Sequence, residues 1–485
     1  MNRPALKSAK SARSAALALA LLATGSATAQ TGSSIVYNYA YDANGNLTQA
    51  TDANGNVTKI SFDALNRQST QTDAKGGVTQ FGYDALDHLT SVTDPRNLAT
   101  NYQTDPLGDV TQLKSPDTGT TSSSFDLDGN LVQRTDAKLQ TTKYTYDALN
   151  RITAITYADT TSASFTYDTN PGDLPLLQSV TDVSGSMKYT YDAGGHLLSE
   201  IRVINVVSNS GGTPTVTPTT YVTSYAYDNI GRLASVTYPS GRIVSYGRDA
   251  LGRISQITSL RNGVSTVLIS QVNYQPFGAV KSYVNGTGVV TARGFDTSGR
   301  MTSYTLNGMV HTVGYDGAGN IVSHTDGGNP ANNTNYGYDA LNRLTGALTA
   351  TTSQSYTYDA NGNRTSQGNG GSISSNTYAA NSNWLTQITG AATVPITIDA
   401  NGSVTNNGVN QFTYDARGRM ASALTVSGTV QYTINVFGQR VQKISASAST
   451  VFEYDSSGRL IGETDGQHGT DYVYLNDIPV ALIKM

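Results

Sequence analysis

The sequence predicts an all-β protein, an array of short antiparallel hairpins curling into a hollow or partly open β-shell. Three observations carry this expectation. An aromatic-Asp pair recurs at a step of 21 residues along much of the chain. Each pair is followed by turn formers, Gly or Asn, set between short runs rich in Thr, Val and Tyr. Apolar residues do not recur at three and four past the N-terminus, so nothing there predicts an amphipathic helix.

The first 29 residues stand apart. Arg3, Lys7, Lys10 and Arg13 precede an apolar run from Ala15 to Ala23, and Ala27-Thr28-Ala29 supplies a small-residue cleavage pattern. This reads as a signal peptide at 1–29 with the mature chain starting near Gln30, because a membrane anchor needs about 20 apolar residues. No membrane span is expected after cleavage. The predicted location is periplasmic, cell-surface or extracellular. Removing four basic residues leaves 27 against 35 acidic ones, a net charge of −8. Such a surface repels phosphate, so no nucleic-acid partner is expected. The absence of Cys rules out disulfide stapling and leaves stability to the sheet.

The repeat fills residues 30–485. It begins at Tyr41-Asp42 and continues through Phe62-Asp63, Tyr83-Asp84, Thr104-Asp105, Phe125-Asp126, Tyr146-Asp147 and Tyr167-Asp168. The spacing stretches to Tyr191 and Tyr227-Asp228, then resumes at Arg248-Asp249. Later copies sit at Phe295, Tyr315, Tyr338-Asp339, Tyr358-Asp359, Tyr414-Asp415 and Tyr454-Asp455, with weaker ones at Tyr274, Ile398 and Asn435. A second Asp turn follows in many units, as in Asp52-Ala53-Asn54-Gly55-Asn56. Each unit therefore reads as two strands and two turns. About 38 strands at ~4.8 Å give roughly 180 Å of sheet, which must curl or spiral to hide its edges. Apolar alternation is weak in runs such as Leu89-Thr90-Ser91-Val92-Thr93, which suits a curved wall wet on both faces better than a two-layer sandwich. Flexible insertions are expected near 205–220 and 367–395, where Gly, Ser, Asn and Pro cluster.

The motif in Tyr227-Asp228-Asn229-Ile230-Gly231-Arg232-Leu233 and Tyr454-Asp455-Ser456-Ser457-Gly458-Arg459-Leu460 resembles that of the Rhs/YD-repeat family. Variants at Tyr146-Asp147 and Tyr338-Asp339 match it, and the resemblance runs from about residue 37 to 480. It implies relatives whose repeats wind into a large hollow β-shell. In bacterial members that shell encloses a C-terminal toxin; in animal teneurins it is an extracellular adhesion scaffold. Tyr472 to Ala481 resembles the lead-in to the self-cleaving core segment of toxin-bearing members. Neither the cleavage motif nor a toxin domain follows, so neither activity is expected of this chain.

The remaining residues offer little chemistry. The motif Asp is expected to cap its turn, and the motif Tyr to pack against the equivalent ring one unit along. Asp42 to Asn46 and Asp126 to Asn130 lack the Gly and Glu positions of a helix–loop–helix calcium loop. His88, His196, His311, His324 and His468 are scattered, mostly in or near turns, without metal-ligand spacing. The turn arginines Arg67, Arg151, Arg232, Arg253, Arg300, Arg343, Arg419 and Arg459 are expected to pair with the Asp of a neighbouring turn. No catalytic residue, metal or cofactor is assigned. The expected function is a non-enzymatic secreted scaffold, the shell component of an Rhs-type toxin or cell-contact system, with a toxin or core polypeptide encoded nearby as partner. The alternative is a surface or periplasmic scaffold that binds glycans. A hydrolase built on a cross-repeat carboxylate pair is a distant third reading. The strand near Ile478 to Ile483 is expected to offer an open pairing edge.

Overall fold

Short Thr-rich runs bounded by Asp-x-x-Gly or Asp-x-x-Asn can only go back and forth: the turns fix the reversals, and β-branched residues favour extended backbone between them. The computed structural model describes residues 36–168, 175–208 and 214–485. The segment read as a signal peptide lies outside the described residues, as does the tip of the insertion near 205–220.

Forty-three strands and one 3₁₀ turn, Pro330–Asn332, make up the regular structure of the described residues, which contain no α-helix. With one break, each strand pairs antiparallel with its neighbours in the chain, from Asn38–Tyr41 with Leu47–Thr51 through to Gly469–Leu475 with Ile478–Lys484. The meander is continuous over the first 33 strands, and the last ten form a second sheet. The break falls between Thr393–Pro395 and Thr397–Ile398, at a buried Ile396.

One of the two expected insertions is corrected here. Residues 367–395 are not an insertion: Arg364–Asn369, Ser372–Tyr378, Leu385–Thr389 and Thr393–Pro395 are strands in regular register. Their Ser, Thr and Asn side chains resemble loop composition because few of them are needed for a core. Near 205–220 the chain extends a hairpin, Leu197–Ser208 against Thr215–Tyr227, with ten paired positions.

The wall is also not wet on both faces throughout. Tyr225, Val236, Val244, Ile257 and Ile269, from strands between Thr215 and Tyr274, pack against Ile461, Val473 and Leu475 from the chain's last strands. That buried cluster is a true two-layer core. Val441 and Val451 likewise pack on Ile204. The sheet thus overlaps itself, and its C-terminal part lies as a second layer on strands laid down about half the chain earlier.

Candidate functional site: the repeated turn and the seam between wraps

The motif builds one turn, repeated. At Tyr146-Asp147 the Asp147 carbonyl accepts from the Asn150 amide at 3.0 Å, and the Asp147 amide donates to the Arg151 carbonyl at 2.9 Å. The Asp147 Oδ1 accepts from the Leu149 and Arg151 amides at 2.9 and 3.0 Å, and its Oδ2 from Arg151 Nε at 2.6 Å. Asn150 holds φ at 58°, which is why the fourth position is usually Asn or Gly, with Asp87 at 65° in the Asp84 turn. A bulge at Tyr146 completes the geometry. Asp42, Asp84, Asp228, Asp339, Asp359, Asp415 and Asp455 repeat the double amide cap. Gly231 and Gly458 take the left-handed position at 78° and 82°.

The arginine closes first on its own turn and in several units reaches the next one as well, as Arg67 does to Asp87 at 2.7 Å and Arg343 to the Asp359 carbonyl at 2.8 Å. Arg67, Arg151, Arg232, Arg253, Arg300, Arg343 and Arg459 each pair with the Asp four residues back. The guanidinium then covers the motif aromatic of the next unit: Arg151 lies 4.4 Å from the Tyr167 ring centre and Arg343 4.8 Å from that of Tyr358. Asp415 is the exception, because Arg417 takes its carboxylate while Arg419 bonds the Asn435 and Val436 carbonyls.

The motif tyrosines do not stack ring on ring. Each hydroxyl donates to a backbone carbonyl of the preceding unit: Tyr83 to Gln68, Tyr146 to Leu131, Tyr227 to Leu197 and Tyr338 to Ile321. Tyr358, Tyr414 and Tyr454 do the same to Leu344, Val404 and Arg440. Tyr41, on the first strand, is exposed. Asp, Arg and Tyr thus form a relay that fastens each unit to the next. Amide donation from Arg67, then its guanidinium, holds the Asp63 carboxyl below the usual carboxylate range. Burial pushes Asp339 up, but the Arg343 side chain and amide outweigh it and hold the group at about 2.

A second set of contacts joins turns that are 261 to 267 residues apart. Here the second turn of an early unit meets the motif turn of a late one. Asn54 Nδ2 donates to Asp316 Oδ2 at 2.9 Å, Lys75 Nζ lies 3.5 Å from Asp339, and Lys138 Nζ 3.1 Å from Asp399. Arg96 reaches Asp359 at 3.4 Å and donates to the Ala379 and Ser382 carbonyls at 2.9 Å. Trp384, the one Trp, donates its indole N–H to the Asp117 carbonyl at 2.7 Å. These contacts form a seam along which the second wrap of the sheet sits on the first.

Toward the C-terminus the seam becomes a layered, charged interior. Arg242 Nε donates to Asp471 Oδ2 at 2.6 Å, and Arg202 pairs with Glu200 at 2.5 Å. Tyr238 donates to the Tyr472 carbonyl at 3.0 Å, and the buried Gln442 bonds both the amide and the carbonyl of Val207. Glu453 and Asp471 both face Gly462 in register, from the strands on either side of it. Burial, then the Asp471 charge, pushes Glu453 up to about 7, against the opposing pull of Arg202. Sequence reasoning missed this group, since Glu453 and Asp471 belong to no motif.

The histidines divide. His88 and His196 replace Arg in their turns and meet Asp84 and Asp192 at 3.2 and 2.9 Å. His311 and His324 are instead in strands: His311 is buried and stacks on Tyr304 at 4.9 Å, and His324 Nε2 is 2.9 Å from the Tyr304 hydroxyl. No group of three or more potential metal ligands occurs among the described residues. No helix there is long and apolar enough to cross a membrane.

Fold and repeated turn together define a β-shell scaffold assembled from Tyr-Asp units. A profile of the teneurin YD-shell matches residues 96–265, 293–432 and 348–477, and one of the RHS repeat matches 24–57, 41–78 and 62–99. The chain belongs to the teneurin YD-shell family. Among solved structures it is similar to the Photorhabdus luminescens Tc holotoxin pore with a TccC3 mutation, at 15% identity and a TM-score of 0.72, covering 90% of this chain and 27% of that one. TcdB2-TccC3 without its hypervariable C-terminal region aligns at 16% identity and a TM-score of 0.73, covering 90% and 27%. The chain therefore spans about a quarter of the length of these structures, and the likeness is one of fold. No curated protein matches the sequence.

Proposed function

We propose that the chain is a non-enzymatic exported scaffold, the shell component of an Rhs-type toxin or cell-contact system, with a toxin or core polypeptide as its partner. The observation that carries this reading is the use to which the motif is put. Its carboxylates, guanidinium groups and phenol hydroxyls bond the wall to itself, as in Asp147, Arg151 and Tyr167. Groups so committed build a barrier and leave little for substrate chemistry. Glu453 and Asp471, the pair nearest to a catalytic dyad, are 7% and 1% exposed between two layers. Export of the mature chain from residue 30 agrees with the N-terminal pattern and the net charge of −8.

The test is co-expression with the polypeptide encoded immediately downstream, followed by limited proteolysis. A cargo that co-purifies and survives protease until the shell is unfolded supports the proposal. A cargo digested at the same rate with and without the shell removes it. N-terminal sequencing of exported protein checks cleavage after Ala29.

A second reading, glycan binding, draws on a polar cleft at the seam lined by Asn54, Asn56, Asp316, Tyr336, Tyr338 and Asp339. Planar amides and carboxylates beside phenol rings are the side chains that meet sugar hydroxyls and C–H faces. Absence of binding on a glycan array sets this reading aside.

A further inference from the structure

The two wraps leave two rims uncovered among the described residues, and the covered and uncovered rims differ in chemistry. In the covered rims the contacts that cross the seam are polar, although Leu139, 82% exposed, stands in one of those turns. Asn361 and Asn401 on the motif side bond Asp94 and Asp136 across the seam, where Lys75, Arg96 and Lys138 answer from the other side. The uncovered motif rim of the first wrap instead carries Leu65, Leu86, Leu107, Leu127 and Leu149 at five consecutive turns. These are among the most exposed apolar side chains of the molecule, from 65% for Leu65 to 99% for Leu127. Motif turns recur every second strand, so the tips stand about 10 Å apart in a row of roughly 40 Å. An apolar strip of this extent exceeds the scatter of single exposed residues and marks a contact surface.

The opposite uncovered rim, the second-turn side of the second wrap, is apolar as well. Val409 and Val426 sit in these turns and Leu348 and Ile373 at strand ends beside them, from 54% exposed for Leu348 to 90% for Val426. Both rims occupy the same sector of the spiral, because the seam sets units 52–140 against units 316–401. They also have the polarity of the internal seam, in which a second-turn rim receives a motif rim.

We propose that a second copy of this chain is the occupant: copies stack head to tail, the Leu65–Leu149 rim of one on the Leu348–Val426 rim of the next. The stack repeats outside the molecule the contact that joins its two wraps, with apolar tips in place of charged ones. Since the two surfaces differ, the association is heterologous and extends into short columns.

The experiment is sedimentation velocity of the full chain over a wide concentration range. Two variants accompany it: Leu65→Asn, Leu86→Asn, Leu107→Asn and Leu149→Asn together on one rim, and Ile373→Asn, Val409→Asn and Val426→Asn on the other. Each variant is expected to keep the wild-type circular dichroism spectrum and to weaken self-association by about tenfold or more. An equimolar mixture of the two variants is expected to form a 1:1 dimer, since one intact rim of each kind remains between them. A wild-type chain that stays monomeric at every concentration overturns the proposal. So do oligomers that survive substitution of either rim, and a monomer that partitions onto phosphatidylcholine vesicles through the Leu row.

Discussion

Asp471 accepts a 2.6 Å hydrogen bond from Arg242, 229 residues earlier in the chain, with both side chains almost withdrawn from water. Ser240 donates to the same carboxylate oxygen at 2.9 Å, and Arg242 continues to Ser259 at 2.8 Å. The pair therefore pins the C-terminal layer to the wall beneath it. Removing one member strands the other charge, so Arg242→Met is expected to destabilise by about 3–5 kcal/mol. Arg242→Met with Asp471→Leu is expected to recover most of that loss. Urea midpoints of the two variants, compared with wild type, check both expectations.

Glu453 gives the layered region a pH dependence. Its folded pKa of about 7 lies above the ordinary 4.5, so the folded state holds the proton more tightly than the unfolded one. Its favourable contribution is whole below pH 4.5 and is lost as pH rises toward 7. The loss amounts to at most about 3 kcal/mol. Glu453→Gln is expected to flatten stability between pH 5 and 8, read as the urea midpoint at each pH. An unchanged slope in that variant refutes the assignment.

The turn chemistry predicts an asymmetric response at Gly458. Its φ of 82° is left-handed, yet an added Cβ meets only Gln439 Nε2, at 3.7 Å. Backbone conformation, not space, sets the cost. Gly458→Asn, which copies Asn150 and Asn342, is expected to be nearly neutral, while Gly458→Val costs roughly 2 kcal/mol or more. Thermal melts of the two variants separate them.

The seam predicts salt sensitivity. Lys75 and Lys138 are partly exposed, so Lys→Gln at either is expected to cost about 0.2–1 kcal/mol and to cost nothing further in 1 M salt. Arg96 binds a carboxylate and two carbonyls, and Arg96→Gln is expected to exceed both and to persist in salt. Protease cleavage near 379–383 measures the opening of the seam.

Strands and turns were legible because they are local. The positive-φ position and the Asp cap are both set within five residues, as at Asp147 to Arg151. What lay beyond the unit was not legible. That Lys138 meets Asp399 depends on how far the sheet curls per strand, a quantity that no residue states. That Arg151 lies on Asp147 is equally hidden, because sequence spacing shows which charges recur, not which way a side chain lies after a bulge. Residues 367–395 look like a loop in sequence because Ser, Thr and Asn in strands with few buried positions carry no alternation. Glu453 gave no signal, since its environment is supplied by Arg202 and Asp471 on other strands.

Among the described residues, ladder hydrogen bonds join only neighbours in the chain, so no backbone bond there fixes how many units make one circuit. That number is held by side chains such as Asn54 on Asp316 and Asn401 on Asp136. Deleting one 21-residue unit between residues 214 and 316 would break no ladder elsewhere, yet it would bring every early turn opposite the wrong late one. The girth of the molecule is thus written in a handful of Asn, Lys and Arg side chains, and duplication of a unit can widen it only when those few are redrawn to match.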